Sequence, residues 1–115
     1  MLNLGGIWAA NQPLAANFNL VGGQVTCSIA AACVAACTNP SGSLTLIESV
    51  PAPYRPANHT AGVLIVRNKD VLMNGLAMIS PQGHMTIVPF GPYVWQADAG
   101  LETTGVSAQN FSYAI

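Results

Sequence analysis

The cysteines and histidines are the side chains best suited to chemistry in this chain of 115 residues. Cys27, Cys33 and Cys37 have the spacing C-x5-C-x3-C, which fits no common zinc pattern. His59 and His84 lie far from them in sequence. We therefore predict no metal site. Two alternatives stay open for the cysteines, namely three buried thiols or one disulfide with a leftover thiol.

The remaining titratable groups do not form a recognisable catalytic pattern. The acidic residues are Glu48, Asp70, Asp98 and Glu102. The chain contains no Gly-x-Ser-x-Gly, no His-Glu-x-x-His and no phosphate-binding loop. An enzyme needs a positioned nucleophile or an acid and base pair. We predict that the protein is not an enzyme and uses no cofactor.

Charge is unusually scarce in this sequence. Only 6% of the residues are charged and 51% are hydrophobic, whereas a soluble domain usually carries roughly 25% charged residues. The net charge of −1 and the lack of a basic patch argue against nucleic-acid binding, which depends on Lys and Arg at phosphates. A surface with so little charge favours association with other protein surfaces.

No segment indicates membrane insertion or a targeting signal. The longest apolar run, residues 29–37, has nine residues, far short of the roughly 20 that a membrane helix needs. The first residues have no basic region and include Asn, Gln and Pro where a signal peptide would be apolar. We expect no membrane insertion.

Proline and glycine residues, which interrupt regular structure, and the alternation of apolar residues between them together predict short strands. Pro and Gly recur throughout the chain, and turn signals separate short segments at intervals of about ten residues, which is typical of an all-β sandwich or barrel. The clearest part is a three-stranded antiparallel meander, 61–68, 71–80 and 84–90, with a type I turn at 80–83 and a candidate bulge at Asn74-Gly75. We predict one sandwich domain over residues 1–115.

Two segments are less regular. Residues 24–38 alternate with period two, which favours a strand, although the alanines leave open a short helix or turn over 30–36. Residues 1–19 are apolar and uncharged but are broken by Gly5-Gly6 and Pro13. We predict that residues 1–19 form an extended arm that lies on a neighbouring molecule.

Six residues are candidates for structural or interface roles. Pro56 holds the preceding residues extended, so that Arg55 can donate to backbone carbonyls or to Glu48. We predict that Arg55 anchors a sandwich corner or a subunit contact. Trp and Tyr are enriched at interfaces, although core burial is the favoured interpretation for both tryptophans. We predict that Trp95, together with Tyr93, lies in a strand near a sheet rim. The candidates are Trp8, Tyr54, Arg55, Pro56, Tyr93 and Trp95.

The segment "PAPYRP", residues 51–56, is followed by a strand, a polar turn, a second strand, a Gly-containing turn and a third strand, and the chain ends in "FSYAI". In this pattern, from Ser43 to Pro89, the chain resembles a module of tailed-bacteriophage virion proteins, which include capsid decoration proteins, head fibres and tail-fibre heads. It implies a jelly-roll-like antiparallel β-sandwich that assembles as a homotrimer. It also implies a structural or binding role.

This resemblance implies one of two functions. The first is a capsid decoration, or cement, protein that binds the major capsid protein on the outer shell as a trimer. The alternative is a receptor-binding head of a phage tail or head fibre that recognises a host glycan or protein. The chain shows no heptads or collagen-like repeats that could form a shaft. We favour the cement function, on the virion surface after assembly in the host cytoplasm.

Overall fold

The computed structural model describes residues 2–115, which form eleven strands and one 3₁₀ turn at Ala52–Tyr54. No helix in this range is long and apolar enough to cross a membrane. The strands are β1 Leu2–Gly6, β2 Gln12–Leu14, β3 Ala16–Val21, β4 Gln24–Ile29, β5 Cys33–Ala35, β6 Leu44–Leu46, β7 Thr60–Asn68, β8 Val71–Ile79, β9 Met85–Pro89, β10 Thr104–Val106 and β11 Gln109–Ala114.

The larger sheet contains eight strands in the order β2-β1-β6-β9-β8-β7-β10-β5. Every neighbouring pair in it is antiparallel. The sheet curls until its two edge strands, β2 and β5, approach each other, and the Cys33 thiol donates to the Pro13 carbonyl oxygen at 3.4 Å. The fold is therefore all-β and antiparallel, as the sequence predicts, and its large sheet is nearly closed on itself.

The smaller sheet contains β11-β4-β3 and packs beside β7. A Cβ added to Gly62 of β7 would come within 2.6 Å of the Ser112 carbonyl oxygen, so glycine allows β7 and β11 to lie this close. The side-chain amide of Gln109 caps the edge of β7, because Oε1 accepts from the Ile65 amide at 2.6 Å and Nε2 donates to the Ile65 carbonyl at 2.7 Å. The Gln109 side chain thus makes the two hydrogen bonds to Ile65 that the backbone of a neighbouring strand would otherwise make.

The central meander predicted from the sequence is present as β7, β8 and β9. Lys69 and Asp70 join the first two strands with φ of 51° and 64°, as a two-residue turn with both residues at positive φ requires. The Gly83 amide donates to the Ser80 carbonyl at 2.9 Å in the second turn. The candidate bulge at Asn74-Gly75 is wrong, because β8 pairs with β7 without interruption.

The sequence also left open a short helix over residues 30–36. That segment is instead a bend followed by β5. Cys33, Ala35 and Cys37 point inward, which follows the period-two alternation that begins in β4. Tertiary packing of this inward face outweighs the helix propensity of alanine.

The predicted extended arm over residues 1–19 is not what the described residues form. Residues 2–19 contribute β1, β2 and most of β3 to the two sheets. Leu4, Ile7 and Leu14 are buried in the protein's own core. The prediction failed because Gly5-Gly6 and Pro13 mark local breaks but do not show that β1 pairs with β6, about forty residues later.

One hydrophobic core lies between the two sheets. It is formed by the inward residues of both sheets and by buried loop residues. The largest fully buried side chains include Tyr113, Leu4, Ile7, Leu44, Leu64, Ile79 and Ile87. The strands that form this core also fix which side chains are left on the outside of the larger sheet.

Candidate interaction surface

The outer face of the larger sheet is the first candidate site. Inward and outward residues alternate along β7, β8 and β9, as the burial of every second residue shows. The register sets the outward residues in rows across the strands, for example Thr45, Thr86, Met78 and Ala61. We call the following set the outer face: Thr45, Ala61, Val63, Ile65, Leu72, Asn74, Leu76, Met78, Thr86, Val88 and Phe90, which follows β9.

Arg67 also points outward from β7, opposite Leu72 at one end of the face, and it pairs there with Asp70 at 2.8 Å. The other outward side chains, which make up the outer face, carry no charge, and most are apolar. Val63 is 62% exposed, Leu72 57% and Met78 43%. An antiparallel sheet with one face in water usually alternates apolar inside with polar outside. From Ala61 to Val66 both sides of β7 are apolar, so the outer face has the character of a surface that another protein covers.

A groove lies at one end of the outer face. Its volume is about 560 Å³, and Ala61, Met78 and Ile79 are among its lining residues. The last paired row of the sheet at this end is Thr60, Ile79 and Met85. His59, Ser80 and His84 each lie one residue beyond that row and line the groove. We call it the histidine groove.

The two histidines lie far apart in sequence but line this same groove. His84 is held in place because its amide donates to Ser80 Oγ at 3.1 Å and its carbonyl accepts from the Ser80 amide at 3.0 Å. Counting strand register outward from the 80–83 turn would have placed them in one row. A smaller hollow of about 320 Å³, lined by Glu48 and Ile47, shares His84 with the groove.

An exposed aromatic and aliphatic cluster lies at the opposite end of the outer face. Phe90, Tyr93 and Val94 are 52%, 55% and 56% exposed, and the rings of Phe90 and Tyr93 meet edge to face with centroids 5.9 Å apart. We call these three residues the aromatic knob. The predicted strand through Tyr93 and Trp95 is wrong, because both residues lie in the loop between β9 and β10.

The buried side-chain amide of Asn68 fixes the backbone beneath the knob through hydrogen bonds. Asn68 is 1% exposed, and its Nδ2 donates to the Val94 carbonyl at 3.0 Å while its Oδ1 accepts from the Gln96 amide at 2.8 Å. The Tyr93 amide donates to the Pro89 carbonyl at 3.1 Å, and Tyr93 has φ of 57°, which is rare for a bulky residue. The knob is therefore preorganised.

A second buried polar residue, Asp98, holds the rest of that loop. Its carboxylate accepts from the Cys37 amide at 3.0 Å, from the Thr103 amide at 2.9 Å and from the Gly100 amide at 3.3 Å. The Thr103 and Thr104 hydroxyls donate to it as well. Burial alone would raise the pKa of Asp98, but these hydrogen bonds outweigh it and the pKa lies below its usual range.

The proline-rich segment forms a corner between the two sheets. Arg55 is half-buried, and its Nε donates to the Val50 carbonyl at 2.7 Å. Glu48, the other acceptor that we considered, instead accepts from the amide and side chain of Asn3, and this lowers the pKa of Glu48. Tyr54 stacks on Phe18 with centroids 5.6 Å apart. In this chain Arg55 contacts the backbone of its own corner.

The remaining interface candidates are buried. Pro56 is buried beside Arg55, and Trp8 donates from Nε1 to the Thr104 carbonyl at 3.3 Å. Trp95 is 3% exposed, and its Nε1 has no hydrogen-bond acceptor within residues 2–115. Of the six candidates, Tyr93 is the one whose side chain is mainly exposed.

The cysteines are free and buried, so the sequence alternative of three buried thiols is the one observed. Burial raises the pKa of Cys27 to about 12 and also raises the pKa of Cys33 and Cys37. Within the described part of the chain, no three His, Cys, Asp or Glu side chains come together as a metal site would need.

Comparison with known proteins gives no relative to set beside this geometry. The chain matches no protein-family model, no curated protein and no solved structure.

Proposed function

We propose that the protein is a bacteriophage virion structural protein, a capsid decoration protein that binds the outer shell as a homotrimer. The observation that carries this proposal is the uncharged outer face, which runs over β6 to β9. The proposal includes the jelly-roll-like arrangement and the threefold assembly that the resemblance implies. The near-closed larger sheet and the smaller sheet beside it are compatible with that arrangement.

The size of the outer face suits a protein contact. β7 and β8 have nine residues each, β9 has five and β6 has three. At about 3.3 Å per residue and about 4.8 Å between strands, these four strands cover roughly 410 Å² in projection. A specific interface buries roughly 800 Å² on each partner, and the rough surface of side chains adds to the projected area. Each copy exposes 5672 Å² in all, so such a contact would use a modest part of it.

A cement protein stabilises a shell by burying its own surface against other subunits, and it needs no catalytic group. An uncharged, apolar face lets a small protein do this with little desolvation of charges. Its partners are other copies of the chain and the major capsid protein. The structural module that the sequence resembles includes β7, β8 and β9, which carry most of the face.

The test combines light scattering with binding to emptied capsids of the phage that encodes the chain. Wild-type protein is expected to have three times the 11.9 kDa chain mass and to bind the shells. Val63→Lys adds a charge to the outer face and is expected to abolish assembly and binding. Val21→Lys, at an exposed hairpin tip, is the matched control. If the wild-type protein is a monomer at micromolar concentration and does not bind the shells, the proposal is wrong.

The histidine groove favours a second candidate, a receptor-binding head. Imidazoles of His59 and His84 and hydroxyls of Thr60 and Ser80 line the groove and can hydrogen-bond a host glycan or surface protein. In this case the labelled protein is expected to bind host cells, and the double variant His59→Ala/His84→Ala is expected to lose that binding. Shell binding without cell binding would exclude this function.

A further inference from the structure

We propose that β3 of one copy pairs antiparallel with β3 of a second copy, so that their two smaller sheets join into one continuous sheet. This contact lies on the smaller sheet, whereas the proposed function uses the outer face of the larger one. The inference therefore goes beyond the proposed function and does not depend on it.

Within residues 2–115, β3 is the sheet edge that no other strand covers. The two edges of the larger sheet, β2 and β5, approach each other. The far edge of the smaller sheet, β11, lies close against β7 at Gly62. β3 is the last strand of its sheet and pairs with β4 alone. We call the uncovered side of β3, Ala16–Val21, the open edge.

Three residues direct their backbone groups to the open edge. The Ala30 amide donates to the Ala15 carbonyl at 2.9 Å, so these two residues form one of the hydrogen-bonded pairs that join this strand to its neighbour. Since such pairs alternate along antiparallel strands, the amides and carbonyls of Ala16, Phe18 and Leu20 point away from β4. A row of unpaired backbone groups of this kind binds another extended strand.

The open edge has none of the features that usually prevent edge strands from pairing. Its sequence, ANFNLV, contains no Lys and no Pro, and it pairs with β4 over all six residues without a bulge. The first charged residue of the chain is Glu48, which hydrogen-bonds to β1. Arg55 follows the 3₁₀ turn beside β3 but donates to the Val50 carbonyl, and Ile115 lies on the far side of β4. Two copies of this edge therefore approach without like-charge repulsion.

The buried face of the smaller sheet is incomplete at β3. The inward residues of β4 are buried, but the β3 residues opposite them are less well covered. Ala16 and Phe18 are partly buried, and Leu20 is 40% exposed. Phe18 is covered on one side by Tyr54, with ring centroids 5.6 Å apart. A further strand beside β3 would cover the rest of this apolar row.

The open edge is complementary to itself, which identifies a second copy as the partner. With Phe18 opposite the second copy's Phe18, Ala16 of each copy lies opposite Leu20 of the other, and each pair exchanges two hydrogen bonds. A shift of the register by two residues leaves one of these three residues without a partner in β3. Aromatic residues directly opposite each other stabilise a strand pair further.

The symmetry of this contact limits its growth. The same edge pairs with itself, so the contact is twofold and uses up the open edge of both copies. Six residues at about 3.3 Å each span only roughly 20 Å, and small interfaces are typical of weak association. We expect pairing at millimolar rather than micromolar concentration, or on a shell where neighbouring copies are held close together. In a decoration layer this contact would link neighbouring trimers.

The first experiment tests the register by disulfide formation between two single variants. Asn17 and Asn19 are exposed, and the proposed pairing places Asn17 opposite the second copy's Asn19. These positions form a non-hydrogen-bonded pair with Cα atoms about 4.5 Å apart, within the range that a disulfide bridges. The native thiols are buried, and Cys27 lies on the inward side of the sheet.

Mixed Asn17→Cys and Asn19→Cys proteins, oxidised at millimolar concentration, are expected to give at least about tenfold more mixed disulfide than either homodimer. In the homodimers the two sulfur-bearing residues are diagonal neighbours, about 7–8 Å apart, which is too far for a relaxed disulfide. Equal amounts of mixed and homodimeric products would contradict the register. The same preference is expected when both proteins also carry Val63→Lys, so a failure of the proposed trimer and a failure of this contact are distinguishable.

The second experiment follows light scattering from micromolar to millimolar concentration. The mass of the wild-type particle is expected at least to double over this range. Asn17→Lys/Asn19→Lys places Lys opposite Lys across the contact and is expected to weaken pairing at least about tenfold. Asn110→Lys/Ala114→Lys, which adds the same charge at exposed positions of β11, is the matched control and is expected to pair like wild type. Circular dichroism and urea midpoints establish that each variant folds.

Each other outcome overturns the inference. If the wild-type mass stays constant up to millimolar concentration, β3 does not pair with itself, whatever the state of the trimer. If both lysine variants weaken association equally, the effect is one of overall charge. If the mass stays constant but the β3 lysine variant loses binding to emptied shells that the β11 variant retains, the partner is an extended segment of the shell protein, and self-pairing is wrong.

Discussion

Replacing Asp98 with Ala should cause one of the largest losses of stability available in this protein. The substitution leaves the Cys37 amide without an acceptor in a buried position, and it removes the charge-assisted hydrogen bond from the Thr103 amide. A buried donor without an acceptor lowers the stability of the fold by about 1–3 kcal/mol, and a hydrogen bond to a charged group contributes about 1.5–3 kcal/mol to that stability. We expect the free energy of unfolding to fall by about 3–5 kcal/mol, a large part of the roughly 5–15 kcal/mol typical of a domain.

Urea unfolding followed by tryptophan fluorescence is the assay, since Trp8 hydrogen-bonds to Thr104 beside this carboxylate and Trp95 lies in the same loop. Asp70→Ala is the matched control, because Asp70 is exposed and its ion pair with Arg67 should contribute less than about 1 kcal/mol. A loss below 1 kcal/mol for Asp98→Ala would refute the reasoning.

The pH dependence gives a second check on Asp98. Its pKa is lower in the folded protein than the roughly 3.9 of an unfolded chain. The folded state therefore binds the proton less readily, and the stabilisation is present above the unfolded pKa and is lost as the pH falls through the folded pKa. The stability gap between wild type and Asp98→Ala should narrow in acid. A gap that stays constant down to about pH 2 would contradict this account of the carboxylate.

Three further predictions concern other parts of the fold. Arg55→Lys should lower the free energy of unfolding by about 1–2 kcal/mol, because Lys lacks the Nε–H that donates to Val50; a urea midpoint equal to that of wild type would contradict it. The buried thiols should not react with Ellman's reagent within minutes at pH 8 until urea unfolds the protein, since burial raises the pKa of Cys27 to about 12; rapid native labelling would show that they are accessible. Deleting residues 1–12 should abolish folding, as judged by the loss of cooperative unfolding, because Leu4, Ile7 and Trp8 belong to the core; a soluble, cooperatively folding truncation would restore the idea of an arm.

Local patterns predicted the part of the fold that is made from neighbouring strands. The alternation in β7 and β8 and the turn at 80–83 are contained within about thirty residues, so periodicity and turn chemistry were enough. The strand over Val25, Cys27 and Ile29 was also recognisable from its period of two. Pairing between distant segments left no such signal, which is why β1 was mistaken for an arm.

The candidate surface was only partly visible in the sequence. The low charge indicated a covered surface, and apolar residues at both odd and even positions from Val63 to Val66 could have located it on β7. The knob and Asp98 had no local signature. An acidic residue in a loop looks the same in sequence whether it is solvated or, like Asp98, bonded to amides from three different positions.

The position of β10 has a consequence for how the protein is made. β10 lies between β5 and β7, with Val106 opposite both Cys33 and Val66. The ribosome therefore releases the Cys33 segment long before its partner exists, and 73 residues separate the two positions. At roughly 5–20 residues per second, the interval is about 4–15 s. During that time the nascent chain carries an unpaired β5 and an uncharged outer face, so its yield in cells should depend on chaperones and translation rate more than on final stability.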